Sequence, residues 1–376
     1  MHLIERYALS TGLEIDNPTI SEQFFPIVCD KYVCFHASAK DNLRDYDYWD
    51  EVKVLLQPFF NKFNLKTVQI GLKEDPNLNC DIDLRAKTNM RQMAYAVKKS
   101  DLFIGVDSFP AHLAGFFNRK MVSIYSNSFS ACVRPYWGNR KNQKIIETER
   151  PNGEKPSFSF NENPKTVNRV KPEKIANYAL ELLGVKEKLK YKTLFMGDIC
   201  KQKCVEIIPT QNTHIVNEHI DVRMDIEHNE SVLEHILQRN EVEVTTSLPI
   251  NEKLLASKRI KKIIYKTHKF DLNFIKLMKK HAIKNGLVCT SEKTIASERA
   301  KLFDYLINPS QEKDIVKQNK ERFQGHNLNK IKIKSGKKII CGDKVYETLY
   351  DFRGRKNSDD FFLDLDWFIV YSDSDE

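Results

Sequence analysis

The chain has 376 residues, of which 41% are hydrophobic and 30% are charged, and its formal net charge at pH 7 is +9. This length favours two domains over one. The high charged fraction, together with the lack of any run of eighteen apolar residues, excludes a membrane-spanning protein. The positive charge fits an anionic partner, such as a nucleotide donor, a nucleic acid or a phosphorylated glycan.

Eight cysteines are scattered along the chain, without CxxC pairs and without histidine partners at zinc spacing. They are predicted to be small buried hydrophobes in a reducing compartment rather than disulfides or metal ligands. The first residues lack the basic-then-apolar pattern of a secretion signal, so we expect a cytoplasmic protein.

Strand and helix patterns alternate after a lead-in segment, residues 1–30. In the first half, short apolar runs predict strands, and apolar residues spaced three and four apart predict helices. Pro58 lies inside one of these helices and is expected to kink or split it, whereas the polar, proline-containing stretch 147–169 is expected to be a loop. The predicted strands are 32–36, 67–71, 102–106 and 121–125, and the predicted helices are 48–63, 90–97, 110–117 and 171–184.

The second half alternates in the same way and then changes character. Residues 330–341 mix basic and apolar residues, and turn residues at Ser335-Gly336 and Gly342-Asp343 predict antiparallel hairpins there. The helices are predicted at 230–238, 271–285 and 295–307, and the strands at 219–226, 241–246, 262–267 and 287–290.

Alternating strands and helices with short connections indicate parallel sheets. We therefore predict an α/β protein with two Rossmann-like domains that face each other across a cleft. The domains are expected at 31–189 and 190–376, the second ending in β-hairpins. No G-x-G-x-x-G follows any predicted strand, which makes a Rossmann dehydrogenase a poor alternative.

The segment 102–117 is the most informative part of the chain. A buried strand ends on Asp107 and Ser108, and a helix opened by Pro110 follows directly. The first N–H groups of a helix are unpaired and carry partial positive charge, so a helix start at the carboxyl end of a parallel strand suits a phosphorylated ligand. Asp107, Ser108 and His112 are thus candidates for a nucleotide or nucleotide-sugar site. Alternatively, Asp107 acts as a helix cap and His112 as a packing residue.

Residues 31–185 resemble the nucleotide-sugar domain of the ADP-heptose:lipopolysaccharide heptosyltransferase family (glycosyltransferase family 9, GT-B fold). The resemblance rests on His36-Ala-Ser-Ala followed by Trp49, and on Asp107-Ser-Phe-Pro-Ala-His-Leu-Ala, close to the family pattern Asp-(Ser/Thr)-Gly-Pro-x-His-Leu-Ala. Phe109 stands where the family has a glycine, and its side chain would crowd the approach of a phosphate. The family also places this domain second, so the order here looks circularly permuted, with the donor domain first and the acceptor domain second.

The resemblance implies a donor site that extends beyond the Asp107 segment. Ser38 and a nearby cation, either Lys40 or Arg44, would hold the diphosphate after the first strand in place of a metal. Glu74, after the second strand, would accept the ribose hydroxyls. Alternatively, the segment with Lys40 and Arg44 is a solvated basic loop, and Glu74 is an ordinary surface acid. No cofactor and no metal are implied, because the nucleotide-sugar is a co-substrate, and we interpret Asp81, Asp83, Asp364 and Asp366 as chance acidic triplets.

An inverting transfer needs a general base that faces the acceptor hydroxyl. Asp198 and His214 are the candidates, with Asp225 and His268 comparable, and Asp198 could equally belong to a hairpin turn. The resulting hypothesis is a metal-independent inverting glycosyltransferase acting on a hydroxyl of a glycan or of a modified nucleobase in DNA. If the acceptor is DNA, we expect its binding to weaken steeply as the salt concentration rises. The alternative is a non-catalytic nucleotide-sugar or anion-binding protein on the same scaffold.

Overall fold

A computed structural model gives the fold as two compact units, Met1–Asp198 with Tyr371–Glu376, and Ile199–Val370. Within the residues that it describes, no helix is long and apolar enough to cross a membrane. The described residues are 1–159, 161–197, 204–210, 219–311, 317–318, 320–327, 330–335, 337–354 and 368–373.

The first unit alternates strands and helices in the predicted order. Its strands are β1 (Tyr32–His36), β2 (Lys66–Gln69), β3 (Ile82–Asp83), β4 (Leu102–Val106), β5 (Met121–Tyr125), β6 (Gln143–Glu147) and β7 (Tyr191–Met196). Its helices are α1 (Leu3–Thr11), α2 (Trp49–Lys62), α3 (Met90–Lys99), α4 (Phe109–Phe116), α5 (Ser130–Val133) and α6 (Pro172–Leu183).

The first six strands form one parallel sheet in the order β3-β2-β1-β4-β5-β6. Every residue of β1, β4 and β5 is buried, as expected for strands covered by helices on both faces. The strand order reverses between β1 and β4, and ligands of doubly wound sheets bind at the carboxyl ends of the strands beside such a reversal.

Several local features of the first unit were not predicted. Pro58 does not split its helix, which runs continuously as α2. Strands β3 and β6 are additional to the prediction. The lead-in begins with α1, where His2 and Glu5 form a capping box, and Ile20 and Phe25 of the lead-in pack against the core of this unit.

The second unit also alternates, with β8 (Cys204–Ile208), β9 (His219–Arg223), β10 (Val242–Thr246), β11 (Ile260–Thr267), β12 (Lys284–Cys289) and β13 (Ile307–Pro309). Its helices are α7 (Glu230–Leu237), α8 (Glu252–Leu255), α9 (Leu272–Lys280), α10 (Ile295–Lys301) and α11 (Leu349–Phe352). The later strands are β14 (Ile331–Ser335), β15 (Lys337–Cys341), β16 (Lys344–Tyr346) and β17 (Phe368–Asp373).

The second sheet has the order β13-β12-β11-β10-β9-β8-β15-β16. From β8 to β13 each strand pairs in parallel with its predecessor, so the crossovers all advance in one direction. Right-handed crossovers of this kind place their helices on one face, and α7, α8 and α9 share a single apolar cluster with that face. The parallel α/β architecture is confirmed, although this strand order differs from that of the first sheet.

The sequence misplaced two boundaries in the second unit. The predicted helix 271–285 ends as α9 at Lys280, and Asn285 and Gly286 lie in β12. Ala282 adopts a left-handed conformation, and the Ile283 N–H donates to Met278 O, which is a Schellman-type end without the usual glycine. The predicted helix 295–307 likewise ends early, as α10.

One of the two predicted hairpins is present. Strands β15 and β16 pair in antiparallel fashion around Gly342-Asp343, as predicted. The hairpin predicted at Ser335-Gly336 is wrong, because β14 and β15 belong to different sheets. Instead, β15 pairs in parallel with β8, since its Ile339 joins Ile208 and Leu349 in an apolar cluster.

Candidate functional site

A cavity of about 580 Å³ opens at the carboxyl ends of β1, β2 and β4, beside the reversal in strand order. It brings together residues that follow three different strands. Six of the seven residues predicted to bind a donor line it: Ser38, Lys40, Arg44, Glu74, Asp107 and Ser108.

Arg44 is engaged by two carboxylates rather than free for a ligand. Its Nη1 lies 3.1 Å from Asp107 O and 3.3 Å from Asp107 Oδ2, and its Nη2 donates to Asp41 Oδ2 at 2.8 Å. Burial raises the pKa of the Asp107 carboxyl, and the neighbouring Arg44 partly offsets that rise. Arg44 therefore favours the charged form of a buried acid and holds the loop after β1 against the end of β4.

Lys40 lies on the same loop and differs from Arg44 in its environment. It is exposed, and its ammonium group has no hydrogen-bond or ion-pair partner among the residues that the structure describes. A flexible lysine without a competing carboxylate is the better group to meet an incoming phosphate. Of the two cations that the sequence left open, the geometry thus favours Lys40.

The loop that carries Ser38 and Lys40 is fixed by bonds to the rest of the unit. The indole Nε1 of Trp49 donates to Ala37 O at 3.1 Å, and the Ala39 N–H donates to Asp45 Oδ1 at 2.8 Å. Ser38 itself is buried. The loop is therefore held in place at the carboxyl end of β1, and Lys40 lies on an anchored segment.

Ser108 occupies the N-cap position of α4, but its hydroxyl makes no capping bond. The hydroxyl lies 2.9 Å from His36 Nδ1 and 3.1 Å from Val106 O. Within the described part of the chain, the N–H groups of Ser108 and Phe109 have no hydrogen-bond partner. The start of α4 therefore offers two free N–H donors with a hydroxyl beside them, an arrangement suited to a phosphate.

Phe109 lies at the cavity with 47% of its surface exposed. Its own backbone N–H is one of the two free donors, and a glycine at this position would carry no side chain beside them. The crowding of a phosphate at this position stays a prediction.

The loop after β2 forms another wall of the cavity and carries Glu74 in an exposed position. Gly71 has a φ of +144°, and a Cβ there would lie 2.1 Å from Asp75 Oδ2, so only glycine fits. Asp75 Oδ2 also accepts from the Leu72 N–H at 2.8 Å, which closes the turn. This turn holds Glu74 at the cavity.

His112 is the one predicted donor-binding residue that does not line the cavity. It lies one turn further along α4, where burial lowers its pKa and His2 adds a smaller effect in the same direction. Its role with phosphate stays a prediction.

The predicted general bases belong to the second half of the chain. Asp198 and His214 lie outside the described residues. His268 is exposed after β11. Asp225 is held by Arg223 through two hydrogen bonds of 2.7 and 2.9 Å, so its carboxylate is already engaged.

Arg223 is the centre of a charged cluster on the sheet face opposite α7, α8 and α9. Its Nη1 donates to Glu206 Oε2 at 2.8 Å, and Lys337 donates to Glu206 Oε1 at 2.9 Å. Asp221 neighbours Glu206 in the sheet and accepts from Thr245 Oγ1 at 3.2 Å. Burial, and then repulsion from Glu206, raises the pKa of Asp221 to about 6.

The first acidic triplet is occupied by protein partners. Asp81 Oδ2 accepts from the Thr67 N–H and from the Thr67 hydroxyl, both at 2.8 Å. Asp83 forms two hydrogen bonds with Arg85. Asp364 and Asp366 lie outside the described residues.

Sequence reasoning missed His36, Asp75 and Met93, which also line the cavity. His36 could have been found, because it is the last residue of a buried strand and directly precedes the Ser38 loop. Asp75 and Met93 had no such signal, since one lies in a turn and the other on a helix.

Residues 61–162 match glycosyltransferase family 9 (heptosyltransferase). The match lies inside the segment 31–185 and confirms the resemblance seen in the sequence. It includes Glu74, Asp107, Ser108 and His112, and it begins after the Ser38 loop. The permuted domain order stays a prediction.

No curated protein matches the chain. A glycosyl transferase family 9 structure from Veillonella parvula is 18% identical, over 48% of this chain and 49% of that chain, with a TM-score of 0.34. E. coli ADP-heptose lps heptosyltransferase II is 14% identical, over 48% and 50%, with a TM-score of 0.32. E. coli heptosyltransferase WaaC with ADP is 13% identical, over 48% and 57%, with a TM-score of 0.34. The chain thus spans about half the length of these structures.

Proposed function

We propose that this protein is a glycosyltransferase that takes its sugar from a nucleotide-sugar bound in the cavity of the first unit. The observation that carries the proposal is the meeting of Lys40, Ser108 and the free N–H groups of α4 beside the strand-order reversal. The family match over residues 61–162 supports it independently.

In this proposal the positive groups of the cavity hold the diphosphate. Lys40 and the two N–H groups would stabilise the negative charge that grows on the leaving nucleotide, which is the work a metal does in other transferases. Glu74 would accept the ribose hydroxyls, and the Asp107 carboxylate, held by Arg44, would accept a sugar hydroxyl. We therefore propose a metal-independent reaction.

The transfer itself would be a single displacement with inversion. The acceptor oxygen attacks the anomeric carbon, the bond from that carbon to the phosphate oxygen breaks, and the nucleoside diphosphate leaves with the bonding electrons. The proton of the acceptor hydroxyl passes to a base. Asp198 and His214 remain the proposed bases. Asp225 is a weaker choice than the sequence alone indicated, since Arg223 holds it.

Substituting Lys40 by alanine is expected to weaken nucleotide binding about tenfold, because a charge-assisted bond to phosphate is lost from a site exposed to water. Calorimetric titration with UDP, GDP, ADP and CMP first identifies the nucleotide that the protein binds, and that nucleotide is then titrated into the variant. Lys87→Ala removes another exposed lysine, outside the cavity lining, and should leave the affinity unchanged. Equal affinities in the two variants would contradict the assignment of Lys40.

The acceptor is proposed to be a glycan hydroxyl or a modified nucleobase in DNA, both compatible with a net charge of +9. The salt dependence of the transfer rate distinguishes the two acceptors. Transfer to DNA would slow steeply between 50 and 200 mM salt, because bound counterions are released on binding, whereas transfer to a small neutral glycan would not. We also propose a cytoplasmic location, which is supported by the free thiols of the described cysteines.

A second candidate is a binding protein that retains the donor site without turnover. The exposed side chain of Phe109 at the start of α4 favours it, since a ring there would crowd a diphosphate bound to the free N–H groups. Such a protein would bind the nucleotide-sugar but release no nucleotide, with or without an acceptor. A coupled assay for free nucleoside diphosphate distinguishes it from the transferase.

A further inference from the structure

His36 is the last residue of β1, and its ring lies between the two loops that carry the proposed ligand groups. Its Nδ1 is 2.9 Å from Ser108 Oγ, and its Nε2 is 3.9 Å from Asp75 Oδ2. The residue is only 9% exposed. Burial lowers the pKa of His36 to about 4 while Asp75 acts in the opposite direction, so at pH 7 the ring is neutral and carries one N–H.

The Ser108 hydroxyl has one hydrogen to donate. Which group accepts it depends on whether Nδ1 of His36 carries the ring hydrogen. If Nδ1 carries the ring hydrogen, Ser108 Oγ accepts it, and the hydroxyl hydrogen is free for Val106 O or for a ligand. If Nδ1 is bare, the hydroxyl donates to the ring and turns only lone pairs toward the cavity, which repel a phosphate oxygen. Asp75 Oδ2 lies 3.9 Å from Nε2, beyond hydrogen-bond distance, and already accepts from the Leu72 N–H, so its charge favours a ring hydrogen on Nε2 without bonding it. The hydroxyl bond from Ser108 to Val106 O acts the other way, because it leaves Oγ as an acceptor for a hydrogen on Nδ1.

We propose that His36 is a positioning residue, whose Nδ1–H holds Ser108 Oγ so that the hydroxyl donates to a phosphate oxygen of the donor. This inference rests on the proposed function, since it concerns the same cavity. Rotation about the Ser108 Cβ–Oγ bond moves the hydrogen from Val106 O to the phosphate without shifting a heavy atom. The fixed positions of β1 and β4, which are paired strands, keep the two side chains at bonding distance.

The test uses inorganic pyrophosphate as a probe, because it does not depend on the identity of the base. Calorimetry on the full chain should give about tenfold weaker binding for Ser108→Ala and for His36→Leu, and no further loss in the double variant. His36→Asn should bind within about threefold of the parent, because its amide N–H replaces the Nδ1–H donor. Thermal melts of each variant verify that it is folded.

The 15N chemical shifts of the His36 ring report which nitrogen carries the hydrogen. A residue with only a structural role would not require that hydrogen on Nδ1. In the pyrophosphate complex, Nδ1 should carry a hydrogen. A bare Nδ1, additive losses in the double variant, or equal losses for the Asn and Leu variants would each overturn the positioning role. If His36→Leu does not fold, the Asn variant and the NMR spectrum still decide.

Failure of this inference and failure of the proposed function have different signatures. If the parent protein binds neither pyrophosphate nor any nucleotide, the donor site itself is wrong. If the parent binds and only Ser108→Ala weakens binding, the donor site stands and the role of His36 is wrong.

Discussion

Replacing Arg223 by methionine is expected to lower the free energy of unfolding by about 3–5 kcal/mol at pH 7, the range for breaking a buried ion pair by removing one partner. The Arg223 and Glu206 side chains are 12% and 3% exposed. The guanidinium holds both Glu206 and Asp225, and among the described residues Lys337 would be the cation left beside Glu206. Methionine keeps much of the volume, so the loss comes mainly from the uncompensated carboxylates.

The loss should shrink at pH 4. Burial tends to raise the pKa of Glu206, but Lys337 and Arg223 together hold it below its ordinary value. Without Arg223 that pKa rises, so near pH 4 the carboxyl takes up a proton instead of remaining a buried charge. Guanidinium unfolding of the full chain gives the free energies, and hydrogen exchange of the β8–β10 amides assigns the transition to this unit. Arg259→Met, at an exposed position, is the control and should change stability by less than about 0.5 kcal/mol. If Arg223→Met lowered the free energy of unfolding by a similarly small amount, Lys337 alone would be enough to stabilise the charge of Glu206.

Replacing Asp221 by asparagine is expected to stabilise the protein by about 1–2 kcal/mol at pH 7. The folded protein raises the pKa of this carboxyl from 3.8 to about 6, so the fold disfavours the charged form. Below pH 3.8 the group is protonated in both states and costs nothing; the cost appears as the pH rises from about 3.8 to about 6 and is complete above that. The gain is limited because the side chain is only partly buried and water screens part of its charge.

The measurement is the melting temperature of both proteins from pH 3.5 to pH 8. The variant should melt higher at pH 7, and the difference should vanish near pH 3.5. Asparagine still accepts the bond from Thr245, so that contact is kept. Asp304→Asn, at an exposed position of the same unit, serves as the matched control and should give no pH-dependent difference. A variant that melts lower at pH 7 would show that Arg223 and Lys337 favour the charged form of Asp221 more than burial opposes it.

The sequence predicted best where a signal is local. The strand β4 and the helix α4 lie within one residue of their predicted bounds, because a buried apolar run followed by Ser108 and Pro110 specifies both elements. The end of α9 was missed, because Ala282 takes the left-handed conformation that a sequence signals with glycine. Strand β3 is only two residues long, too short for a recognisable period.

The site was predicted as a set of residues but not as a set of contacts. Six residues from three loops line one cavity, since parallel strands end at the same edge of a sheet. The pairing of Arg44 with Asp107 joins residues far apart in the chain, and no local pattern contains it. For the same reason, the choice between Lys40 and Arg44 and the contact of His36 with Ser108 needed the structure.

The two strand orders have different consequences for folding during synthesis on the ribosome. From β9 to β13 each new strand of the second sheet pairs with the strand made just before it, so this part of the sheet can grow by short-range steps, whereas β8 gains β15 as its second partner only much later. In the first sheet β1 pairs early with β2, but its other edge must wait for β4, whose Leu102 pairs with Val33 after β2 and β3 have been made. We therefore expect nascent chains that end before β4 to remain sensitive to protease, and the cavity walls to form together once α4 has left the ribosome.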